Sequence, residues 1–371
     1  MKILLIGNYE PDAIISMERF LTMLATTLPT FGHQVRIIRP KPKFGNFQAT
    51  LKSIGKWLGY IDQIFLFPLE LHQALSWADV VHICDHGNAI YTQYLQHIPH
   101  VVTCHDLLAI RAGLGEFTEY KTGWTGKQLQ KMIIKGLNQA QSVVCVSKQT
   151  QRDLLRLSSI KPDAVSVIYQ GFNYAYSPME SYKVKKYLQA LGIPQNCHYI
   201  LHVGANHWYK NRLGVISIFK QLLYIYKNCK LHLIMVGKPF TSEINKYIKN
   251  YHLSQNVIEL INVDSEYLRA LYSGAVALLF PSLQEGFGWP IIEAQACGCP
   301  VFTSNRPPMN EIGGQAAIYI DPAYPQQVAD QIIFHLPKRK EIIDRGLINA
   351  QRFKTENIIL EYIKIYQKLK T

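Results

Sequence analysis

The chain has 371 residues, 48% hydrophobic and 18% charged, with a formal net charge of +13. This much apolar material fills two cores, which excludes a disordered or low-complexity protein, and the length suits two domains. Seven cysteines are too sparse for a disulfide scaffold, and no C-x-x-C pair exists to hold zinc. Cys84, Cys104 and Cys145 sit in or beside apolar runs, and only Cys297 and Cys299 lie close together. Reduced core thiols in a cytoplasmic protein are the expectation.

From the first residue, Met1-Lys2 runs straight into ILLIG, far too short for a signal-peptide core. No later run approaches the ~18 apolar residues of a membrane span. Strands are expected at 2–7, 35–39, 79–84, 100–104, 142–147 and 165–169. After a pause they resume at 198–204, 231–237, 256–260, 275–280, 300–304 and 316–320. These runs are short, nearly all apolar and rich in Val and Ile, as parallel strands covered on both faces are. Helix-period segments fall between them at Glu18–Leu28, Gln128–Gln139, Leu213–Tyr226 and Ser265–Tyr272, and a last one spans Thr355–Leu369. Alternation of β and α over this length predicts two Rossmann-like, doubly wound parallel-sheet domains facing a cleft. The stretch 171–185, polar and without a sustained period, is read as the linker. The domains are then 1–172 together with 353–371, and 173–352.

Charge is distributed unevenly. Between Arg36 and Ile61 stand six bases (Arg36, Arg39, Lys41, Lys43, Lys52 and Lys56) and no acid. Such a surface favours an anionic partner: phosphate, anionic lipid or nucleic acid. The segment 47–67 adds Trp57 among apolar residues, and Lys127, Lys131 and Lys135 follow at i, i+4 and i+8 on one predicted helix. Both helices could simply cover a sheet and display solvated lysines; docking on an anionic membrane surface is the alternative. No nucleic-acid-binding motif accompanies the charge, so no nucleic-acid partner is expected.

The most informative segment is PSLQEGFGWPIIEAQACGCPVFTS, 281–304. It follows a predicted strand, and Pro290 suits a first helical turn. A Gly-x-Gly turn, Gly286 and Gly288, at a helix N-terminus can offer backbone N–H groups and a positive dipole end to an anion. Glu285 stands before the turn and Glu293 about one turn inside the helix, so two carboxylates flank a phosphate-sized site. Carboxylates accept hydrogen bonds and hydroxyl-rich ligands supply donors, which suggests a sugar nucleotide. A glycine-rich turn with two solvated acids is the plain alternative for the glycines alone.

The whole string, P-S-x-x-E-G-F-G-x-P-x-x-E-A-x-A-x-G-x-P-V, resembles the donor-site signature of glycosyltransferase family 4, retaining enzymes of GT-B fold. VGANHWYKN at 203–211 is similar to the family's V-G-x-x-x-x-R-K-N, and LIMVGK at 233–238 and NEIGGQAAIYIDP at 310–322 to its later segments. TCHDL at 103–107, VVCVS at 143–147 and FGHQVRII at 31–38 resemble its first-half elements. The resemblance implies transfer of a hexose, with retention, from a nucleotide diphosphate sugar to an acceptor hydroxyl on a glycan or lipid-linked saccharide. UDP-glucose and GDP-mannose are the leading donors. It implies roles for Glu285 on the sugar hydroxyls and Glu293 on the ribose, with Gly286, Phe287, Gly288 and Trp289 along sugar and diphosphate. Lys210 is implied at the diphosphate and His105 near the sugar's C6 hydroxyl. The terminal helix is expected to cross back to the first domain.

Three positions depart from the family pattern. Tyr209 replaces the arginine before Lys210, and Arg212 is a candidate substitute cation. The glycine-rich loop after the first strand reads Ile15-Ser16-Met17-Glu18, which places Ser16 and Met17 on the acceptor side. Trp289 replaces a smaller apolar residue. No Asp-x-Asp pair occurs and the histidines lack ligand spacing, so no catalytic metal and no cofactor beyond the sugar nucleotide are expected. Gly7 is followed by Asn8, Tyr9 and Glu10 rather than G-x-x-G, which disfavours a nicotinamide enzyme. A non-catalytic sugar-nucleotide-binding scaffold is the rival. Cytoplasmic residence, with peripheral attachment to the inner membrane face, completes the expectation.

Overall fold

The computed structural model describes the chain except residues 13, 46–54, 118–121, 196, 226–229 and 371, and the side chains of 55–57. It forms two compact units, Met1–Asn173 with Lys354–Thr371, and Tyr174–Phe353.

The first unit carries six parallel strands: β1 (Lys2–Ile6), β2 (Gln34–Ile38), β3 (Val80–Ile83), β4 (His100–Cys104), β5 (Ser142–Cys145) and β6 (Val165–Val167), in the order β2-β1-β3-β4-β5-β6. The central strands β3, β4 and β5 are buried at every residue, whereas no residue of the edge strand β2 is fully buried. This is why the former read as largely apolar runs and the latter as the basic QVRII. The strand order reverses between β1 and β3. Ligands in open α/β sheets bind beyond the carboxyl ends of the strands at such a reversal.

The second unit repeats the plan with β7 (His198–Val203), β8 (Leu231–Gly237), β9 (Val257–Ile261), β10 (Ala277–Phe280), β11 (Val301–Ser304) and β12 (Ile318–Ile320), ordered β12-β11-β10-β7-β8-β9. Its reversal lies between β7 and β10. Twelve strands were expected and each forms within two residues of its predicted ends. Five of the buried side chains are the thiols of Cys84, Cys104, Cys145, Cys297 and Cys299.

The terminal helix, Thr355–Lys370, packs on the first unit. His82 bridges it to the sheet: its Nδ1 lies 2.7 Å from the Tyr366 hydroxyl and its Nε2 2.7 Å from Thr103 Oγ1. Tyr362 OH reaches the same threonine at 3.3 Å, and Lys370 Nζ meets Asp79 at 3.1 Å.

Local expectations needed three corrections. The second half of 171–185 is not irregular: a helix spans Ser181–Ala190. Its apolar face, Val184, Tyr187 and Leu188, packs on Met179 and Ala270 and extends past the window that looked aperiodic. Ser16 and Met17 lie in the first turn of the helix Ile15–Thr27 rather than in a loop, because without the glycine pair nothing opposes helix there. In the segment 47–67, Lys52 and the side chains of Lys56 and Trp57 lie outside what is described. Beyond them a helix at Gly55–Ile61 widens into a π-turn at Asp62–Leu66 and continues as Phe67–Leu75. Asp62 is buried there, accepting the N–H groups of Phe44 and Gly45 and the hydroxyl of Tyr9.

Candidate active site

In the second unit the site grows from the loops after β7 and β10, the two strands of the reversal. After β7 the chain makes a short 3-10 turn, Trp208–Lys210, and Asn211 then adopts a left-handed conformation at φ 53°. Asparagine tolerates that geometry better than any residue but glycine. The Asn211 amide donates to Pro281 O at 3.2 Å, and Leu283 N donates to Tyr209 O at 2.7 Å. The two loops are therefore stitched together, and the stitch places Lys210 beside Glu285. Lys210 Nζ lies 2.7 Å from Glu285 Oε1 and 2.9 Å from Oε2. The Glu285 side chain is only 8% exposed.

Gly288 follows at φ +105°, a backbone conformation that side-chain-bearing residues rarely adopt, and starts the helix Trp289–Ala296 with Pro290 in its first turn. Phe287 turns its ring inward, edge-on to Phe353 with centroids 5.8 Å apart. Glu293 is 1% exposed and accepts the Tyr272 hydroxyl at 2.8 Å. Burial, with the Glu293 carboxylate as the next cause, raises the Tyr272 phenol well above its usual range. That phenol stays a donor.

Arg212 is placed differently from Lys210. It is buried in the helix Arg212–Ile225, where its Nη1 donates to Lys238 O at 3.0 Å and to the Asn206 side chain, with Phe240 5.0 Å beneath the guanidinium. It joins the loops after β7 and β8. Those loops touch closely: a Cβ on Gly237, which sits at φ +156°, would stand 2.1 Å from Gly204 O. Tyr209, in place of the expected arginine, stacks on His207 at 5.3 Å and lies 5.7 Å from Lys210 Nζ. His202, fully buried on β7, faces Leu279 O through Nδ1 at 3.0 Å. That carbonyl can only accept, so Nδ1 carries the proton. Burial, aided by Arg212 and Lys210, lowers its pKa to about 3.

In the first unit a second polar cluster occupies the carboxyl ends of β1, β3 and β4. Asp85 accepts the Asn8 amide at 2.5 Å and Gly87 N at 2.9 Å, and lies 3.2 Å from His86 Nδ1. Burial opposes its ionisation, but His86, His105 and Asn8 outweigh it, so the carboxyl is held far below the usual range. His86 is shifted upward: burial disfavours its charge, and Asp85 more than restores it. His105, 6% exposed, lies between Cys84 O at 2.8 Å and Gln170 at 3.0 Å, with Phe20 edge-on at 4.9 Å. Burial lowers its pKa.

The sequence pointed to His105, Lys210, Glu285, Glu293 and the 286–289 turn. The structure brings Lys210, Glu285 and the turn together at one reversal, and puts His105 beside the other unit's reversal. Asp85, His86 and Gln170 were missed, although Asp85-His86 directly after an apolar strand was a usable signal. Among the described residues no group of three His, Cys, Asp or Glu side chains could hold a metal ion, and no helix is long and apolar enough to cross a membrane.

Comparison with known proteins fits this architecture. The family model Glycosyltransferase Family 4 matches residues 17–176, and Glycosyl transferases group 1 matches residues 183–346. The O-antigen chain mannosyltransferase B of Escherichia coli is 26% identical over 294 residues, 75% of either chain. An uncharacterized glycosyltransferase of Methanocaldococcus jannaschii is 24% identical over 99% of this chain and 98% of its own. The Anabaena protein Alr3699/HepE, solved in complex with UDP and glucose, shares the fold with a TM-score of 0.74 at 18% identity over 98% of both chains. The protein is a glycosyltransferase of GT-B fold. It belongs to glycosyltransferase family 4.

Proposed function

We propose that this enzyme moves glucose or mannose, with retention, from UDP-glucose or GDP-mannose to a hydroxyl of a glycan or lipid-linked saccharide. The observation that carries the proposal is the Lys210–Glu285 pair at the β7/β10 reversal, beside the N-terminal end of the helix Trp289–Ala296. A diphosphate brings negative charge that the ammonium and the helix dipole oppose, and that charge grows as the leaving group departs. Glu285, with both oxygens engaged by Lys210, is poorly disposed as a nucleophile and well disposed to accept sugar hydroxyls. Attack from the leaving-group face, with a donor phosphate oxygen taking the acceptor proton, needs no side-chain nucleophile. Glu293 serves the ribose, and the backbone of 286–289 runs along sugar and diphosphate. Arg212 supports the loop beside Lys210. No metal or cofactor takes part in this scheme.

The two donors are each supported by a relative: the mannosyltransferase name of the Escherichia coli protein and the UDP and glucose of the Anabaena complex. On the acceptor side, in the first unit, Ser16 is exposed at the start of its helix and Met17 half-buried. The helix Trp124–Gln139 displays Lys127, Lys131 and Lys135 with Trp124 74% exposed, which suits an anionic membrane bearing a lipid-linked acceptor. A panel of UDP- and GDP-sugars tests the donor: one should release its nucleotide slowly in water and be protected in thermal melts. Silence across the panel refutes it. Sedimentation with anionic vesicles at low salt tests the surface, and binding should weaken when Lys127, Lys131 and Lys135 become glutamate.

A further inference from the structure

His105 sits at the end of β4 with both ring nitrogens bonded inside its own unit. Nε2 lies 2.8 Å from Cys84 O and Nδ1 lies 3.0 Å from the Gln170 side-chain nitrogen. The first contact settles the second. A carbonyl oxygen only accepts, so Nε2 must carry a proton. A neutral ring then has a bare Nδ1, which needs a donor, and the Gln170 NH2 supplies it. The amide orientation and the ring tautomer therefore follow from one main-chain oxygen. Gln170 is only 2% exposed, and its Oε1 has no hydrogen-bond partner among the described residues. A buried amide that leaves one end unpaired while its other end holds an imidazole is being used for the imidazole.

We propose that Gln170 is a positioning residue that keeps His105 neutral, as the Nε2–H tautomer, and thereby keeps it out of proton transfer. The proposal rests on the place near the donor sugar that the family resemblance implies for His105. Protonating His105 would set an Nδ1–H against the Gln170 NH2, so the amide would have to turn over to offer Oε1. The charged and titratable groups around the ring are divided. Asp85 and Asp106 favour a proton on His105, while His86 opposes it, and the fully buried His82 is its near neighbour. Burial decides the balance towards the neutral ring. A histidine so held presents shape and a fixed edge rather than an acid or a base. This suits a reaction in which the donor's own phosphate accepts the proton.

Nitrogen-15 NMR of the full chain tests the tautomer without any ligand. Wild-type His105 should show Nε2–H and a bare Nδ1 at neutral pH, and should titrate below the ordinary histidine range. An Nδ1–H tautomer, or titration of the ring at or above the ordinary histidine range, would overturn the proposal. Gln170→Glu keeps the length but offers Nδ1 only acceptors, and an opposing charge raises a pKa by about 1–3 units. His105 should then be an imidazolium near pH 7, and turnover of the nucleotide sugar found active in the panel should fall at least tenfold there and recover as pH rises. Gln170→Leu should lower turnover without moving the pH profile. A Gln170→Glu profile superimposable on wild type overturns the proposal. If instead His105→Ala turns over normally, the donor role of His105 fails while the tautomer measurement still stands.

Discussion

Lys210 and Glu285, 75 residues apart in sequence, form a two-oxygen ion pair largely withdrawn from water. Each therefore sets the other's availability. Lys210→Ala should weaken UDP or GDP binding roughly ten- to a hundredfold, the ~1.5–3 kcal/mol of a charge-assisted contact. Glu285→Gln should leave nucleotide affinity unchanged or higher, because it releases the ammonium, yet cut sugar turnover more than tenfold. Calorimetric titration of both variants separates these effects, and identical affinities in both and wild type would exclude Lys210 from the diphosphate site.

Glu293 combines almost complete burial with a hydrogen bond from Tyr272. If the carboxylate serves the ribose, Tyr272 only orients it. Tyr272→Phe should then cost about 1–3 kcal/mol of stability, as loss of a buried hydrogen bond does, with a small rise in nucleotide Kd. Glu293→Gln should raise Kd about tenfold, by the strength of a charge-assisted contact. Reversed rankings would make Glu293 a packing residue.

Arg212 holds Lys238 O and Asn206 rather than the Lys210–Glu285 pair. Arg212→Ala should lower the midpoint of denaturant unfolding more than Lys210→Ala does, and lower nucleotide affinity less. The opposite order in the two measurements would return Arg212 to the diphosphate.

Acid should destabilise the fold early. Burial keeps His82, His100, His105 and His202 neutral, with His82 and His202 lowered to about 3. In the unfolded chain these groups take up protons near 6.5. Below that pH the unfolded state binds more protons, so stability falls with falling pH, by ~1.4 kcal/mol per unit for each of His82 and His202 down to their folded values. His86, raised by Asp85, acts the other way: its contribution is complete below 6.5 and is lost as pH rises through its folded value. Asp85, held low, contributes above the usual carboxylate range and loses that only in strong acid. Four groups outweigh one, and the melting temperature should drop between about pH 7 and pH 5. A flat profile would mean that these rings are protonated in the folded protein. His82→Gln should make the drop shallower.

Much of the fold could be read because central parallel strands must be largely apolar on both sides, as in KILLI or HVVTC. The 281–304 segment was legible because glycine, proline and carboxylates each have a local reason to stand where they do. Arg212 was not legible: a cation at the first residue of a helix looks solvated, and only the approach of the β8 loop shows otherwise. The link between His105 and Gln170 spans 65 residues and depends on where the chain runs after β6, two strands away from β4, which local periodicity does not encode. The π-turn around Asp62 likewise depends on Phe44, Gly45 and Tyr9 arriving from elsewhere.

The first unit draws its last helix from the far end of the chain, with all of Tyr174–Phe353 in between. During translation, therefore, the ribosome delivers the complete second unit while the first still lacks Tyr362 and Tyr366, and His82 waits in an unfinished interior. A stop codon shortly after position 353 would leave the later-made half whole and cripple the half made first. The order of synthesis and the order of completion run opposite to each other.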